Sequence, residues 1–82
     1  MPTVLRQDGF SFRLYLNDHI PAHVHAFKAE GEAIIYIGDE TEGPAVREIN
    51  GMSSKEVKKA LKIATEHKEY LRQQWEKYHG SI

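Results

Sequence analysis

The sequence has no cysteine and no long hydrophobic run, and it carries almost no net charge. Without cysteine, the 82-residue chain can form neither a disulfide nor a thiolate metal site, so a transition metal would need His, Asp or Glu ligands. No apolar stretch approaches the roughly 20 residues that span a bilayer. The formal net charge of −1 gives no global attraction to nucleic acid or anionic membranes. Together with the lack of a signal-peptide pattern, these absences predict a soluble cytoplasmic protein without membrane contact.

The residues that are present divide into a β-rich first part, about 3–49, and a helical last part. Asp8-Gly9 predicts a hairpin turn, because both residues tolerate positive φ. Phe10 to Leu16 alternates apolar and polar residues, which is the period-two pattern of a half-buried strand. No linker or repeat interrupts the chain, so we predict one domain over residues 1–82.

The last part predicts one long helix over about 53–79. Ser53 and Glu56 have the spacing of a capping box at its start, and Gly80 is the expected stop at its end. An apolar stripe follows the helical period between them. The predicted fold is therefore α+β, a small antiparallel sheet of four or five strands with one long C-terminal helix packed on one face.

This helix is too long for the sheet that it would cover. Residues 54–79 would span roughly 39 Å as a helix, whereas six-residue strands span about 20 Å. Lys68 interrupts the apolar stripe, yet large apolar residues follow it: Tyr70, Leu71, Trp75 and Tyr78. We expect these four to form a homodimer contact. The alternative is a kinked helix that folds back on its own sheet.

Three of the five histidines lie between Asn17 and His25. His23 and His25 are two apart on a predicted strand, so both side chains point to one face. With His19 from the preceding loop, they form a set that can hold a divalent transition metal such as zinc, nickel or manganese, with Asp18 as a further or supporting ligand. The alternative is structural, with the histidines and Asp18 hydrogen-bonded to backbone groups that fix the loop.

The sheet face away from the helix combines cations with aromatic rings. It is predicted to hold Arg13, Tyr15, His23, His25 and Phe27. Such a face suits a protein partner, because Tyr, Phe and Arg are typical interface anchors. It also suits base stacking and phosphate contacts, but the net charge makes nucleic acid the weaker prediction. On the helix, a solvated face or an acidic partner explains the basic cluster of Lys55, Lys58, Lys59 and Lys62.

The run Asn17-Asp18-His19-Ile20-Pro21-Ala22-His23-Val24-His25, after two strands and before a helix that ends near Trp75, resembles a known signature. It is similar to N-D-H-x-P-P-H-x-H of a small bacterial family catalogued as domain of unknown function 4160. The resemblance covers nearly the whole chain, although Ala22 replaces the second proline, so a role that needs a rigid Pro-Pro turn is not implied. Members of this family are mostly uncharacterised. They are often encoded beside another small domain, which suggests toxin–antitoxin-like pairs.

Two functional hypotheses follow, and the sequence alone does not decide between an enzyme and a binding module. The favoured hypothesis is a protein-interaction module, in which the long helix pairs with itself and the aromatic face binds a small protein, as in one component of a toxin–antitoxin-like pair. The alternative is a metal-dependent hydrolase or nuclease whose metal is held by His19, His23 and His25, with Asp18 orienting an imidazole or accepting a proton. The catalytic candidates are Asp18, His19 and His23.

Overall fold

Five strands form one antiparallel sheet in which chain order is also spatial order. The computed structural model describes residues 2–80, so the predicted domain over 1–82 extends beyond the described part at both ends. The strands are β1 (Thr3–Gln7), β2 (Phe10–Arg13), β3 (His23–Lys28), β4 (Gly31–Tyr36) and β5 (Ala45–Asn50). The predicted α+β class and small antiparallel sheet are confirmed.

The β1–β2 hairpin has the predicted Asp-Gly turn, with φ of 54° at Asp8 and 84° at Gly9. The prediction of a strand from Phe10 to Leu16 is only half right, because β2 ends at Arg13. Leu16 is 63% exposed and does not join the buried face. The chain instead leaves the sheet in a loop over 14–22, which contains a cis Ile20–Pro21 peptide bond.

Two helices follow the sheet, α1 (Ser54–Glu66) and α2 (Lys68–His79). The prediction of one long helix over about 53–79 is therefore wrong. The chain breaks at His67, where φ is −112° and ψ is 24°. The His67 ring is hydrogen-bonded to the side chain of Gln7, with 2.8 Å between Nε2 and Oε1. Just beyond the break, Lys68 Nζ donates to the carbonyl oxygens of Asp39 and Glu42. These contacts tie the break between the helices to β1 and to the loop before β5.

The start of α1 confirms the predicted capping box. The backbone N–H of Glu56 donates to Ser53 Oγ over 3.2 Å, and the backbone N–H of Ser53 donates to Glu56 Oε1 over 3.1 Å. The hydrogen bonds from Ser53 hold the pKa of the Glu56 carboxyl below its ordinary value. Two orphan donors of the first helical turn are thereby satisfied.

The core lies between one face of the sheet and α1, and α2 contributes two further side chains to it. From the helices it takes Val57, Ala60, Ile63, Ala64, Leu71 and Trp75. From the sheet and its flanks it takes Val4, Phe10, Phe12, Leu14, Val24, Ala26, Ala33, Ile35 and Ile37. No helix within residues 2–80 is long and apolar enough to cross a membrane.

The predicted homodimer contact involves residues that the fold now separates into two groups. Leu71 and Trp75 are buried inside the chain, at 0% and 4% exposure. Tyr70 and Tyr78 are partly exposed, and the Tyr70 hydroxyl donates to the Val4 carbonyl over 2.7 Å. The homodimer stays a prediction, and in this conformation only the two tyrosines would be available to it.

Candidate metal centre

A carboxylate from the loop after β2 meets two histidines from β3. Because Val24 and Ala26 face the core, strand alternation places His23 and His25 on the opposite face of the sheet. Both histidines are nonetheless buried, at 5% and 9% exposure. Burial of two imidazoles on the outer face shows that the loop folds over them.

Asp18 reaches the histidines because its loop forms a tight turn. The backbone N–H of Asp18 donates to the Tyr15 carbonyl over 3.0 Å. The backbone N–H of Tyr15 in turn donates to Asp18 Oδ2 over 3.3 Å. This pair of bonds fixes the carboxylate relative to the backbone and leaves Oδ2 next to the β3 imidazoles.

The distances around Asp18 Oδ2 are those of hydrogen bonds, and they also suit two ligands of one metal ion. Asp18 Oδ2 lies 3.3 Å from His23 Nε2 and 3.2 Å from His25 Nε2, and all three atoms lie within 4.8 Å of one another. Two ligand atoms bound to one tetrahedral zinc ion at 2.0–2.1 Å are about 3.3 Å apart. The two carboxylate–imidazole distances therefore equal two edges of such a tetrahedron.

The other nitrogen of each imidazole lies within hydrogen-bonding distance of an oxygen. His23 Nδ1 lies 2.9 Å from the Pro21 carbonyl oxygen, and His25 Nδ1 lies 2.9 Å from Glu32 Oε2. A carbonyl oxygen and an ionised carboxylate both accept, so the tautomer with its hydrogen on Nδ1 satisfies both contacts. Metal-binding histidines commonly donate their second N–H to a carbonyl or carboxylate in this way. The arrangement directs both Nε2 atoms to the shared point.

Either protons or a cation can occupy that point. If each Nε2 also carried a proton, two positive rings would lie 5.2 Å apart, balanced by the carboxylates of Asp18 and Glu32. A divalent cation would replace both protons and leave the rings neutral. The three donor atoms therefore suit a divalent cation.

The residues of this cluster lie within the part of the chain that matches a known protein family. A family model described as Domain of unknown function (DUF4160) matches residues 9–76. The chain belongs to this family. Comparisons with curated proteins and with solved structures give no match. The DUF4160 region includes Asp18, His23, His25 and Glu32, and its description assigns no activity to them.

In this DUF4160 fold, the end of α2 covers one side of the cluster. The Trp75 ring lies 5.4 Å from the His23 ring, and His79 stacks on Trp75 at 3.8 Å. His79 Nε2 lies 2.9 Å from the Tyr15 carbonyl oxygen, which joins the helix to the loop that carries Asp18. A cavity of about 170 Å³ lies beside this cover, lined in part by Pro21, Trp75 and Arg72.

The structure brings together some of the sequence-predicted site residues and leaves one aside. His23 and His25 converge as predicted, and Asp18 takes the third position of the group. His19, predicted as the third metal ligand and as a catalytic candidate, is exposed and lies outside the group. The candidate cluster therefore combines two imidazoles with one carboxylate, and His19 as a metal ligand stays a prediction.

The predicted aromatic face is assembled around the same cluster. The Arg13 guanidinium lies 5.0 Å above the Phe27 ring, and His25 stacks on Phe27 at 6.4 Å. The Tyr15 ring meets His25 edge-on at 4.4 Å. Since His23 and His25 are buried, Arg13, Tyr15 and Phe27 are the members that retain appreciable exposure.

Sequence reasoning missed the groups that support the imidazoles. Glu32 lies opposite Phe27 in the β3–β4 register, one diagonal step from His25 on the same face. The tight turn around Glu30 fixes this register. The turn is visible in the sequence, so it could have predicted that Glu32 lies beside His25. The contact of α2 with His23 had no such signal, because it joins β3 to a distant part of the chain.

Proposed function

We propose that this DUF4160 domain is a metal-binding module in which Asp18, His23 and His25 hold one divalent transition metal ion. The observation that supports it most strongly is the convergence of three donor atoms while both Nδ1 atoms donate elsewhere. Two imidazoles and one carboxylate suit zinc, iron, nickel or manganese. Three protein ligands also leave a coordination position for water or substrate, as in catalytic zinc sites.

A metal-dependent hydrolase or nuclease activity would be an extension of this site. The bound ion would supply Lewis-acid polarisation of a substrate oxygen. Arg13 lies directly across from His25 on the neighbouring strand, so a cation is available for an anionic substrate group.

Calorimetric titration of tag-free protein with zinc, nickel and manganese tests the metal site. We expect the unmodified protein to bind one metal ion per chain. His23→Ala removes a ligand, so its metal affinity should fall by more than the roughly 10–100-fold that follows the loss of a residue that only supports a ligand. His19→Ala is the matched control, because it removes an exposed imidazole outside the group. Asp18→Asn keeps side-chain size and separates ligand loss from misfolding of the His23→Ala variant. An unmodified protein that binds none of the three metals would contradict the proposal.

A second role as a protein-interaction module is supported by the loop that carries Asp18. Leu16 and Ile20 flank Asp18 and are 63% and 61% exposed, an unusual exposure for two large apolar side chains on one short loop. A small protein partner, as in a toxin–antitoxin-like pair, would bury both against the face that holds Tyr15 and Phe27. Metal binding would then order the loop for its partner.

Co-purification with the product of the neighbouring gene tests this role. We expect a complex with the unmodified protein and none with a Leu16→Ser, Ile20→Ser double variant. Ile49→Ser is the control, because Ile49 is 49% exposed on β5 and distant in the sheet order from this loop. Equal complex formation by the double variant would exclude the loop as the docking element.

A further inference from the structure

Four exposed lysines form a row along α1. Counted from Lys55, the other three lysines follow after three, four and seven residues, so all four share one side of the helix: Lys55, Lys58, Lys59 and Lys62. Lys28, at the end of β3, extends over the Phe10 ring at 4.8 Å and lines the same groove. We call these five side chains the lysine ridge. The groove beside them has a volume of about 880 Å³.

The positive charge of the lysine ridge is only partly neutralised. Asp8 and Glu56 are the two acidic residues that line the groove. Lys59 pairs with Asp8 at 3.5 Å, but both side chains are about half exposed, and exposed pairs of this kind are weak. Glu56 accepts both hydrogen bonds from Ser53 in the capping box. Five lysines against two carboxylates leave a local excess of three positive charges on a chain with net charge −1.

We propose that the lysine ridge binds the phosphate backbone of single-stranded nucleic acid without reading its sequence. Backbone binding needs only a row of cations, and each lysine that neutralises a phosphate releases a counterion. The row of four lysines on α1, with Lys28 beside it, can follow the phosphates of one nucleic-acid strand. An acidic protein is the weaker match, because lysine is depleted in protein interfaces. The groove presents no exposed aromatic ring, so binding would involve the phosphate backbone without base stacking. Phe10, the aromatic residue that lines it, is 1% exposed.

This inference does not depend on the proposed metal site. The lysine ridge belongs to α1, which packs on the sheet face that holds Val24 and Ala26, whereas His23 and His25 lie on the other face. Loss of metal binding would leave the ridge unchanged. The two proposals can therefore fail separately.

Fluorescence anisotropy with a labelled 20-nucleotide oligo-dT, measured between 50 and 200 mM NaCl, tests the ridge. If four lysines each neutralise one phosphate, the slope of log K against log salt is about −3, a loss of about 50-fold in affinity over this range. In the Lys58→Gln, Lys62→Gln double variant we expect the slope to become shallower by about 1.4. The matched control, Arg6→Gln with Lys77→Gln, removes the same charge from exposed residues outside the ridge and should keep the original slope.

Three results would overturn the proposal. The first is no binding at 50 mM NaCl, and the second is an equal change of slope in the ridge variant and the control. The third is tighter binding of polyglutamate or of a duplex of the same length than of the single strand. Polyglutamate would point to an acidic protein partner, and the duplex to a surface that contacts both strands.

Discussion

Glu32 is the residue that would orient a ligand of the proposed metal centre without touching the metal. Its Oε2 accepts the Nδ1 hydrogen of His25 over 2.9 Å, and its side chain is 27% exposed. We expect Glu32→Ala to lower zinc affinity by roughly 10–100-fold, since such partners fix the tautomer and raise ligand basicity. Glu32→Gln keeps an acceptor oxygen and should lose less. Calorimetric titration of both variants gives the two values.

Glu30→Ala provides the control for this comparison, because Glu30 is exposed in the turn before β4. Its zinc affinity should equal that of the unmodified protein. Unchanged affinity in Glu32→Ala, together with loss of binding in His23→Ala, would show that the metal site exists but does not need Glu32.

The choice between Asp18 and His19 shows what residue spacing can and cannot predict. Strand alternation alone placed His23 and His25 on one face, and the structure agrees. The third member depends on how the preceding loop turns, and this is set by the paired hydrogen bonds between Tyr15 and Asp18. A run of three histidines favoured His19, whereas the turn directs the neighbouring carboxylate inward.

At the scale of single elements, the capping box of α1 gives a measurable stability. Replacing Ser53 with Ala removes its side-chain acceptor for the Glu56 N–H and should lower the free energy of unfolding by about 1 kcal/mol. Urea denaturation at pH 7 measures this difference. Ser54→Ala is the control, because Ser54 lies within the first helical turn and is not the cap.

The same capping box predicts the direction of a pH effect. The pKa of Glu56 is lowered in the folded state, mainly by its hydrogen bonds with Ser53. This contribution to stability is fully present above the unfolded-state pKa, about 4.5, and is lost as pH falls through the lower folded-state value. The difference in the free energy of unfolding between the unmodified protein and Ser53→Ala should therefore become smaller from pH 7 to pH 3. A difference that widens in acid would contradict this assignment.

Helix α2 is held by the packing of Trp75, which is 4% exposed and contacts the rings of His23 and His79. Trp75→Ala should lower the free energy of unfolding by roughly 3–5 kcal/mol, while Trp75→Phe keeps a ring and should cost less. Urea denaturation at low and high protein concentration measures both. Because the contacts lie within one chain, we expect the midpoint not to depend on concentration. A midpoint that rises with concentration would instead support the predicted homodimer.

The break between α1 and α2 could not be predicted from periodicity. Ala64 and Leu71 are seven residues apart, so the apolar stripe continues in phase through the break. At the break, His67 is bonded to Gln7, which is 60 residues away, and Lys68 contacts the loop before β5. Local signals such as the capping box and the Asp-Gly turn were predicted correctly because they need no distant partner.

At the scale of the whole molecule, metal binding should stabilise a domain of this size strongly. Zinc at about 100 times its dissociation constant would add about 2.7 kcal/mol to the free energy of unfolding, which corresponds to a rise in Tm of about 10–20 °C. Differential scanning calorimetry of the unmodified protein and of His19→Ala should both show this rise. Asp18→Asn should show little of it, and an equal rise in Asp18→Asn would place the zinc elsewhere.

The sheet separates two surfaces of different chemistry. One side holds the proposed metal centre, covered by the loop over 14–22 and by the end of α2. The other side holds α1 with the lysine ridge. A substrate or partner that used both surfaces would have to pass around an edge of the sheet, so we expect the two to act independently.

A crystal structure of the zinc-loaded protein, with anomalous diffraction measured at the zinc edge, tests the central claim most directly. We predict one anomalous peak about 2.0–2.2 Å from His23 Nε2, His25 Nε2 and a carboxylate oxygen of Asp18. The hydrogen bonds from His23 Nδ1 to the Pro21 carbonyl and from His25 Nδ1 to Glu32 should persist. Absence of a peak at these three atoms, or a peak only at an exposed histidine such as His19, would contradict the proposed metal centre.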